Sequence, residues 1–293
     1  MEASISIMVL VSIIIPVFHD WERLAKCLKA LSGQSYKNEK FEIIVINNDP
    51  ADQIPLNYQL PNNCIVLKER KIGSYAARNA GIVHAKGKII GFTDSDCIPE
   101  KYWIENAVKF LDKNKKISRV GWKIELFNKE KKLTISELYE KVFAFKQEEK
   151  VKVGASVTAN LFVYKDIFTE TWMFDEHLYS GGDWEWSQRA ELHNYKIAFA
   201  ENVIIKHPAR NKIWQLIKKT VRVAGGKFIV ASQLKFKKPR NIPISTTKYY
   251  IKKYGSQLTI LQKIQVTSIS YLLKIISIVI YIKILLGWKV SRE

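Results

Sequence analysis

The stretch that decides the fold begins Gly73-Ser74-Tyr75-Ala76-Ala77-Arg78-Asn79-Ala80-Gly81-Ile82. It passes through Ala85-Lys86-Gly87 and ends Lys88-Ile89-Ile90-Gly91-Phe92-Thr93-Asp94-Ser95-Asp96. Tyr75 to Ala85 predicts a helix, with Gly73-Ser74 before it and Gly87 beyond it. Lys88 to Phe92 is an apolar run of strand length that opens directly into a turn carrying two carboxylates one residue apart. Carboxylates so spaced at a strand end can place oxygens on a hard cation, and that cation can hold a diphosphate. An ordinary acidic turn has the same letters, because Asp and Ser favour turns by themselves.

Upstream, Val11 to Ile15 is a β-branched run ended by Pro16, the pattern of a buried strand. Trp21 to Ser32 carries Leu24, Cys27, Leu28 and Leu31 at helical spacing, with Glu22, Arg23, Lys26 and Lys29 on the other side. Phe41 to Ile46 predicts a second buried strand, followed by the turn cluster Asn47-Asn48-Asp49-Pro50. Cys64 to Leu67 fits a short third strand. The order strand, helix, strand, strand, helix, strand implies an open α/β sheet, Rossmann-like and mainly parallel. Ligands of such sheets sit at the carboxyl ends of the strands. The turns after Ile15, Ile46 and Phe92 should therefore share one crevice, gathering Asn47, Asp49, Asp94 and Asp96. Residues 102–165 mix helical and strand patterns. A second acidic and aromatic knot follows at Phe174-Asp175-Glu176 and Gly181-Gly182-Asp183-Trp184-Glu185-Trp186.

The helix Gly-x-x-x-Ala-Arg-Asn-x-Gly-Ile, the strand after it and the Asp-x-Asp together resemble the family 2 glycosyltransferases of the GT-A fold. Val11-Ser12-Ile13-Ile14-Ile15-Pro16-Val17 resembles the family's opening strand. The resemblance covers about residues 10–210. It implies a nucleotide-sugar donor, a divalent cation (Mn2+ or Mg2+) and inversion at the anomeric carbon. On it, Asp96 is the metal-binding member of the pair, and Asp94 faces the ribose or assists the metal. Pro16, Val17 and Asp49 fall beside the nucleotide. Asn47 stands where many members have an Asp that contacts the base; an amide there donates as well as accepts, and a UDP-sugar is the favoured donor. Arg78 either touches the diphosphate or anchors its own helix.

Gly182-Asp183-Trp184-Glu185-Trp186 resembles the family's Glu-Asp-x-Glu/Asp segment on the acceptor side, with Gly182 replacing the usual Glu. Asp183 keeps the place of the catalytic base, which an inverting transfer needs to take the acceptor hydroxyl's proton. Acidic residues also suit a helix N-terminus on electrostatic grounds alone. Glu185 would orient the acceptor. Trp184 and Trp186 offer aromatic faces to a sugar or lipid-linked acceptor, or pack in the core. His207 resembles a third metal ligand of some GT-A enzymes, or is a hydrogen-bonded structural histidine. The other four histidines, His19, His84, His177 and His193, carry no role.

Charge divides the chain. Residues 1–201 hold 28 Lys+Arg against 27 Asp+Glu, a balance of +1; residues 202–293 hold 19 against 1, a balance of +18. The expected domains are a catalytic one over 1–210, with a nucleotide-sugar half to about residue 100 and an acceptor half from about 101, and a basic, partly helical, partly apolar region over 211–293. So basic a field attracts polyanions. No nucleic-acid motif is present, and Val266 to Trp288 is mostly apolar, so the expected partner is an anionic membrane surface. Lys274 interrupts the run; a mid-span lysine costs on the order of 2.5–3.5 kcal/mol on insertion scales, whereas an interfacial helix lets it snorkel. Peripheral association ranks before a single span.

Cys27, Cys64 and Cys97 form no CxxC pair and no zinc spacing, which fits a reducing, cytosolic setting. MEASISIMVLVSIIIPVF lacks the basic start and small-residue cleavage site of a signal peptide. These readings place the chain at the cytoplasmic face of a membrane, acting on a glycan or lipid-linked glycan. Two other functions compete. A nucleotidyltransferase would carry a Gly-rich basic loop after the first strand, and Pro16-Val17-Phe18-His19-Asp20 is not one. A non-catalytic binding module would have no use for Asp94, Asp96 and Asp183 together.

Overall fold

A computed structural model describes residues 10–49, 51–128, 130–233 and 247–288. The first nine residues of the apolar N-terminus, Pro50 of the turn cluster, and residues 234–246 of the basic stretch lie outside the described residues. In chain order the elements are β1 (Val11–Val17), α1 (Trp21–Ser32), β2 (Phe41–Asn47), β3 (Cys64–Lys68), α2 (Ser74–His84), β4 (Ile89–Thr93), β5 (Ile98–Pro99), α3 (Trp103–Lys113) and β6 (Arg119–Phe127). There follow α4 (Ile135–Phe143), α5 (Gln147–Val151), β7 (Asn160–Tyr164), α6 (Ile167–Thr171), α7 (Gly182–Leu192), β8 (Ile197–Pro208), α8 (Ile213–Gln233), α9 (Thr247–Tyr254) and α10 (Ile260–Leu285).

The chain divides into two compact units. The first comprises residues up to Glu125, Gln147–His177 and Asp183–His207; the second comprises Leu126–Lys146, Leu178–Gly182 and the residues from Pro208 onward. The junction at 207/208 lies close to the composition change, but two earlier segments also belong with the C-terminal part.

The first unit is built on the sheet, in the order β3-β2-β1-β4-β7-β6-β8-β5. β3, β2, β1 and β4 run parallel, as the opening pattern implies. β7 pairs antiparallel with both β4 and β6, and β5 pairs antiparallel with β8. The sheet is thus mixed, and its antiparallel half begins within 102–165, where no single periodicity dominates. β1 is the spine: Ile13, Ile14 and Ile15 are fully buried. Ile89 donates its N–H to Leu10 and Asn48 donates to Val17, so even-numbered β1 residues face β4 and odd-numbered ones face β2. Pro16 lies beyond the last β4 pair, Ile14–Phe92, and its missing N–H removes no ladder bond. α2 rests directly on this strand, since a Cβ at Gly81 would stand 2.5 Å from Ile14 Cγ2.

A buried arginine ties four segments of the first unit together. Arg119 has no exposed surface; it donates to the carbonyls of Tyr195, Gly154 and Ser187 and pairs with Glu191 at 2.9 Å. Burial draws its pKa down to about 10 against the pull of Glu191, so it stays charged at neutral pH. One guanidinium thereby joins β6, the turn after α5, the body of α7 and the start of β8.

The second unit is helical. Capping boxes open α4 (Thr134 with Glu137) and α10 (Thr259 with Gln262), each satisfying two otherwise orphaned backbone donors. Leu138 and Val142 of α4 meet Leu258 and Val266 in one cluster, while Leu216 of α8 meets Ile269 and Leu273 of α10 in another. Only 22% of the apolar window of α10 is buried.

Replacing Arg119 with Met should lower the unfolding free energy by about 1–3 kcal/mol, because the enclosed carbonyls of Tyr195, Gly154 and Ser187 lose their donor while Glu191 keeps Lys196. Urea denaturation reads this as a shift in midpoint. A change within ~0.5 kcal/mol, ordinary for a surface substitution, would show that the guanidinium does not hold these segments.

Candidate active site

The parallel strands β1, β2 and β4 all end on one edge of the sheet, at Val17, Asn47 and Thr93. The turn after β4 carries Asp94 and Asp96. Ligand atoms of Asp94, Asp96, Cys97 and His207 all lie within 4.8 Å of one another. β8 delivers the histidine: His207 Nε2 is 3.6 Å from Asp96 Oδ1. Burial pushes the Asp96 carboxyl above its ordinary value; Asp94 and Asp20 add to this, and His207 and Arg23 oppose it. A desolvated carboxylate beside a like charge is a place where a cation is favoured. Two carboxylates and an imidazole suit Mn2+ or Mg2+ in donor type, so the residues fit the divalent ion. Cys97 is different, because burial, with Asp94 and Asp96 adding, holds its thiol well above the ordinary range; it is a small enclosed side chain.

Arginines face both aspartates. Arg78, on α2, pairs through Nη2 with Asp94 Oδ1 and donates from Nη1 to Ser74 O at 3.3 Å. It is buried, and its Nε has no hydrogen-bond partner among the described residues. Arg23, on α1 and half-exposed, lies 3.3 Å from Asp96 Oδ2 while bonding Asp20 at 2.8 Å. Ser95 also donates to Asp20, at 3.2 Å. Arg78 therefore closes onto its own helix and also pairs with the first carboxylate of the Asp-x-Asp.

Asn47 is buried, and its amide is used inside its own loop. It donates to Asp52 O at 2.7 Å and accepts from the Asp49 N–H at 3.1 Å. Val17 is enclosed and Pro16 half-buried, so Val17 supports this rim through its backbone. Asp49 Oδ2 meets His19 Nε2 at 2.9 Å, with Asp52 on the other ring nitrogen at 3.4 Å. His19, to which sequence spacing assigned no role, is thus the residue that joins the β1 and β2 turns.

Asp183 stands in the first turn of α7. Its Oδ1 accepts the Trp184 N–H at 2.9 Å and the Tyr75 hydroxyl at 3.4 Å. Tyr75 is one turn from Arg78, whose guanidinium lies 5.9 Å from the tyrosine ring centroid. α2 is therefore the bridge from Asp94 to Asp183. Asn79 fixes that helix to the acceptor side, exchanging hydrogen bonds with the Phe174 backbone at 2.8 and 3.0 Å and donating to Glu176 at 3.1 Å.

Trp184 is half-buried, but the other two acceptor-side residues are enclosed. Trp186 has no exposed surface; it stacks on Phe168 and donates to Thr171 Oγ1 at 3.1 Å. Glu185 is buried and held by Arg189 through two bonds of 2.6 and 2.8 Å, and that arginine also binds the carbonyls of Thr171, Trp172 and Met173. Of the two roles considered for Trp186, the structure places the ring in the core, and it places the Glu185 carboxylate on Arg189 of the same helix. Arg23, Tyr75 and Asn79 are the site residues that spacing did not single out. Tyr75 and Asn79 lie inside the motif that drew attention to α2, and only their three-dimensional partners distinguish them.

The family model described as Glycosyl transferase family 2 matches residues 12–168, more than half of the 293 residues. Glycosyltransferase AglE of Haloferax volcanii is 36% identical over 228 residues, spanning 75% of this chain and 73% of that protein. A Methanococcus voltae protein, dolichyl N-acetyl-alpha-D-glucosaminyl phosphate 3-beta-D-2,3-diacetamido-2,3-dideoxy-beta-D-glucuronosyltransferase, is 22% identical over 236 residues, spanning 74% of this chain and 72% of that one. Among solved structures, mannosyltransferase PcManGT of Pyrobaculum calidifontis, in complex with GDP-Man and Mn2+, aligns with a TM-score of 0.58 at 16% identity, over 96% of this chain and 76% of that one. That last likeness is one of fold. With over half its length matched by the family model, and a 36% identical relative across three quarters of it, this chain belongs to glycosyltransferase family 2 and is a glycosyltransferase of the GT-A fold.

Proposed function

We propose that the chain is a metal-dependent, inverting transferase. It moves a sugar from a nucleoside-diphosphate donor, with UDP as the first base to test, to a hydroxyl of a glycan or lipid-linked glycan at the cytoplasmic face of a membrane. The observation that carries this reading is the single path Asp96–Asp94–Arg78–Tyr75–Asp183, which joins a cation-ready carboxylate pair to a carboxylate on the acceptor side within one unit. The acceptor class draws on the Methanococcus voltae relative, whose name specifies a dolichyl-linked sugar phosphate. The nucleotide-sugar and metal classes draw on the Pyrobaculum mannosyltransferase, which holds GDP-Man and Mn2+.

Asp94, Asp96 and His207 would hold the divalent ion, which when bound supplies positive charge against the charge that builds on the leaving diphosphate. Arg78 places a buried cation behind Asp94 and keeps that carboxylate aimed. Asp183 acts on the other partner. Its described contacts all fall on Oδ1, leaving Oδ2 to accept the acceptor hydroxyl's proton. As that proton moves, the acceptor oxygen bonds to the anomeric carbon and the bond from that carbon to the diphosphate oxygen breaks. Trp184 N–H and Tyr75 O–H fix the carboxylate's rotation, so the base arrives oriented.

Membrane association rests on α10. Leu272, Ile275, Ile278, Val279 and Ile282 are each more than two-fifths exposed, at spacings of three and four residues. This is the outward face of a helix whose other face is core. Removing the helix would open that core, so substitution on the outward face is the discriminating change.

Three outcomes are expected. Mn2+ titration in the presence of UDP or GDP should show weaker metal binding for Asp96→Asn and for His207→Ala, and unchanged binding for Cys97→Ser; wild-type binding by the first two would remove this ligand set. Asp183→Asn should keep nucleotide binding yet lose about 10²–10⁴-fold in kcat, the range of a general base; near wild-type transfer would place the base elsewhere. Changing Ile275, Ile278 and Ile282 together to Ser should shift the protein from vesicles to the supernatant in cosedimentation without lowering nucleotide affinity. Undiminished vesicle binding would rule out the stripe as the contact.

A further inference from the structure

The second unit contains a cavity of about 590 Å³ bounded by α4, α8, α9 and α10, a size that accommodates a small polar group. Three lysines line it, Lys219, Lys227 and Lys274, together with the hydroxyls of Thr247, Ser270 and Ser277. The one carboxylate in the lining, Glu140, is already shared between Arg210 at 2.9 Å and Lys219 at 3.0 Å. Lys227 and Lys274 therefore have no acidic partner among the lining residues. At the floor, Thr247 and Ser270 are each 4% exposed, and their hydroxyls share a hydrogen bond of 2.8 Å. Lys274 Nζ donates to the same Thr247 oxygen at 2.7 Å. Lysine donors and hydroxyls around a space of this size are the chemistry that receives phosphate oxygens.

We infer that this cavity binds the phosphate headgroup of a membrane lipid. The occupant is anionic because residues 202–293 carry 19 basic side chains against one acid. It is a lipid and not free phosphate because the helix that contributes Lys274, Ser270 and Ser277 also presents the exposed apolar stripe from Leu272 to Ile282. A free ion would have no use for that stripe. Lys274 interrupts the apolar run, yet its ammonium is turned onto Thr247 of α9, a helix carrying Lys248, Lys252 and Lys253. α9 packs against α10. An α10 that crossed the bilayer would carry Lys274, and the lysine-rich helix bonded to it, toward hydrocarbon. An α10 lying in the interface puts the stripe into the acyl boundary and the lysines at headgroup level.

This inference rests on the membrane-surface reading above, and the test separates the two. Flotation of the full chain is measured with phosphatidylcholine vesicles containing either phosphatidic acid or oleate at matched surface charge. Wild type should bind the phosphatidic acid vesicles about tenfold more tightly. Lys227→Ala combined with Lys274→Ala should abolish that preference. Ser277→Phe, which fills the cavity without changing charge, should abolish it too. Lys131→Ala combined with Lys132→Ala removes the same charge from an exposed loop; it should weaken binding to both vesicles alike and keep the preference. Urea midpoints confirm that each variant is folded, and the charge-neutral variant serves if the lysine pair is not. Retention of the preference by folded site variants, equal binding of both vesicles by wild type, or release from phosphatidic acid vesicles by inorganic phosphate would each overturn the lipid-phosphate site while leaving membrane association standing. Absence of wild-type binding to any anionic vesicle would remove the membrane reading itself.

Discussion

The rest of the catalytic unit depends on how one short helix is held. α2 presses on β1 at Gly81 and then uses successive residues for different tasks. Arg78 pairs with Asp94, Asn79 clamps the Phe174 backbone, and Tyr75 reaches Asp183. Each partner lies on a different segment, so the helix acts as a strut of fixed length between two chemistries. A buried guanidinium and a buried amide cannot exchange these partners for water without a desolvation penalty of about 1–3 kcal/mol each, and more where charge is involved. α2 therefore links the Asp94 carboxylate to Asp183 through its own side chains.

Local regularities made the parallel half of the sheet legible. Uninterrupted β-branched runs marked β1 and β2, a glycine-bounded helix marked α2, and the strand-end rule pointed to the edge where Asp94 and Asp96 meet His207. The antiparallel half was not legible, because β6 and β7 are set by pairings dozens of residues apart and follow no single period. The same limit applies within the site. Asp94 and Asp96 announce themselves by spacing, whereas Arg23 meets Asp96 across 73 residues and His19 joins two turns that only the sheet brings together. Trp186 and Glu185 show the converse: residue types suited to sugars, placed beside Asp183 in sequence, are both buried, one packed on Phe168 and the other held by Arg189.

The C-terminal part follows another logic. Its charge and its apolar run suggested an appendage, but α10 is amphipathic in an unusual sense, since both of its faces are apolar and only one has a partner among the described residues. Packing against α8 and α9 stabilises the unit, and the remaining face stays outward. The buried Glu140, bridged by Arg210 and Lys219, gives this helical cluster a polar anchor that fixes α4 against the start of α8. Separate segments, 126–146 and 178–182, also belong to this unit.

Cys97 has a consequence of its own. Its sulfur lies among the oxygens of Asp94 and Asp96 and the ring nitrogen of His207, a set that with a thiolate would resemble a zinc site. Burial and the two neighbouring carboxylates hold the proton on the sulfur. A protonated thiol is neither a strong ligand nor a good nucleophile. Enclosed and protonated, the Cys97 thiol resists alkylating reagents and stays off the oxidation ladder that begins at the thiolate.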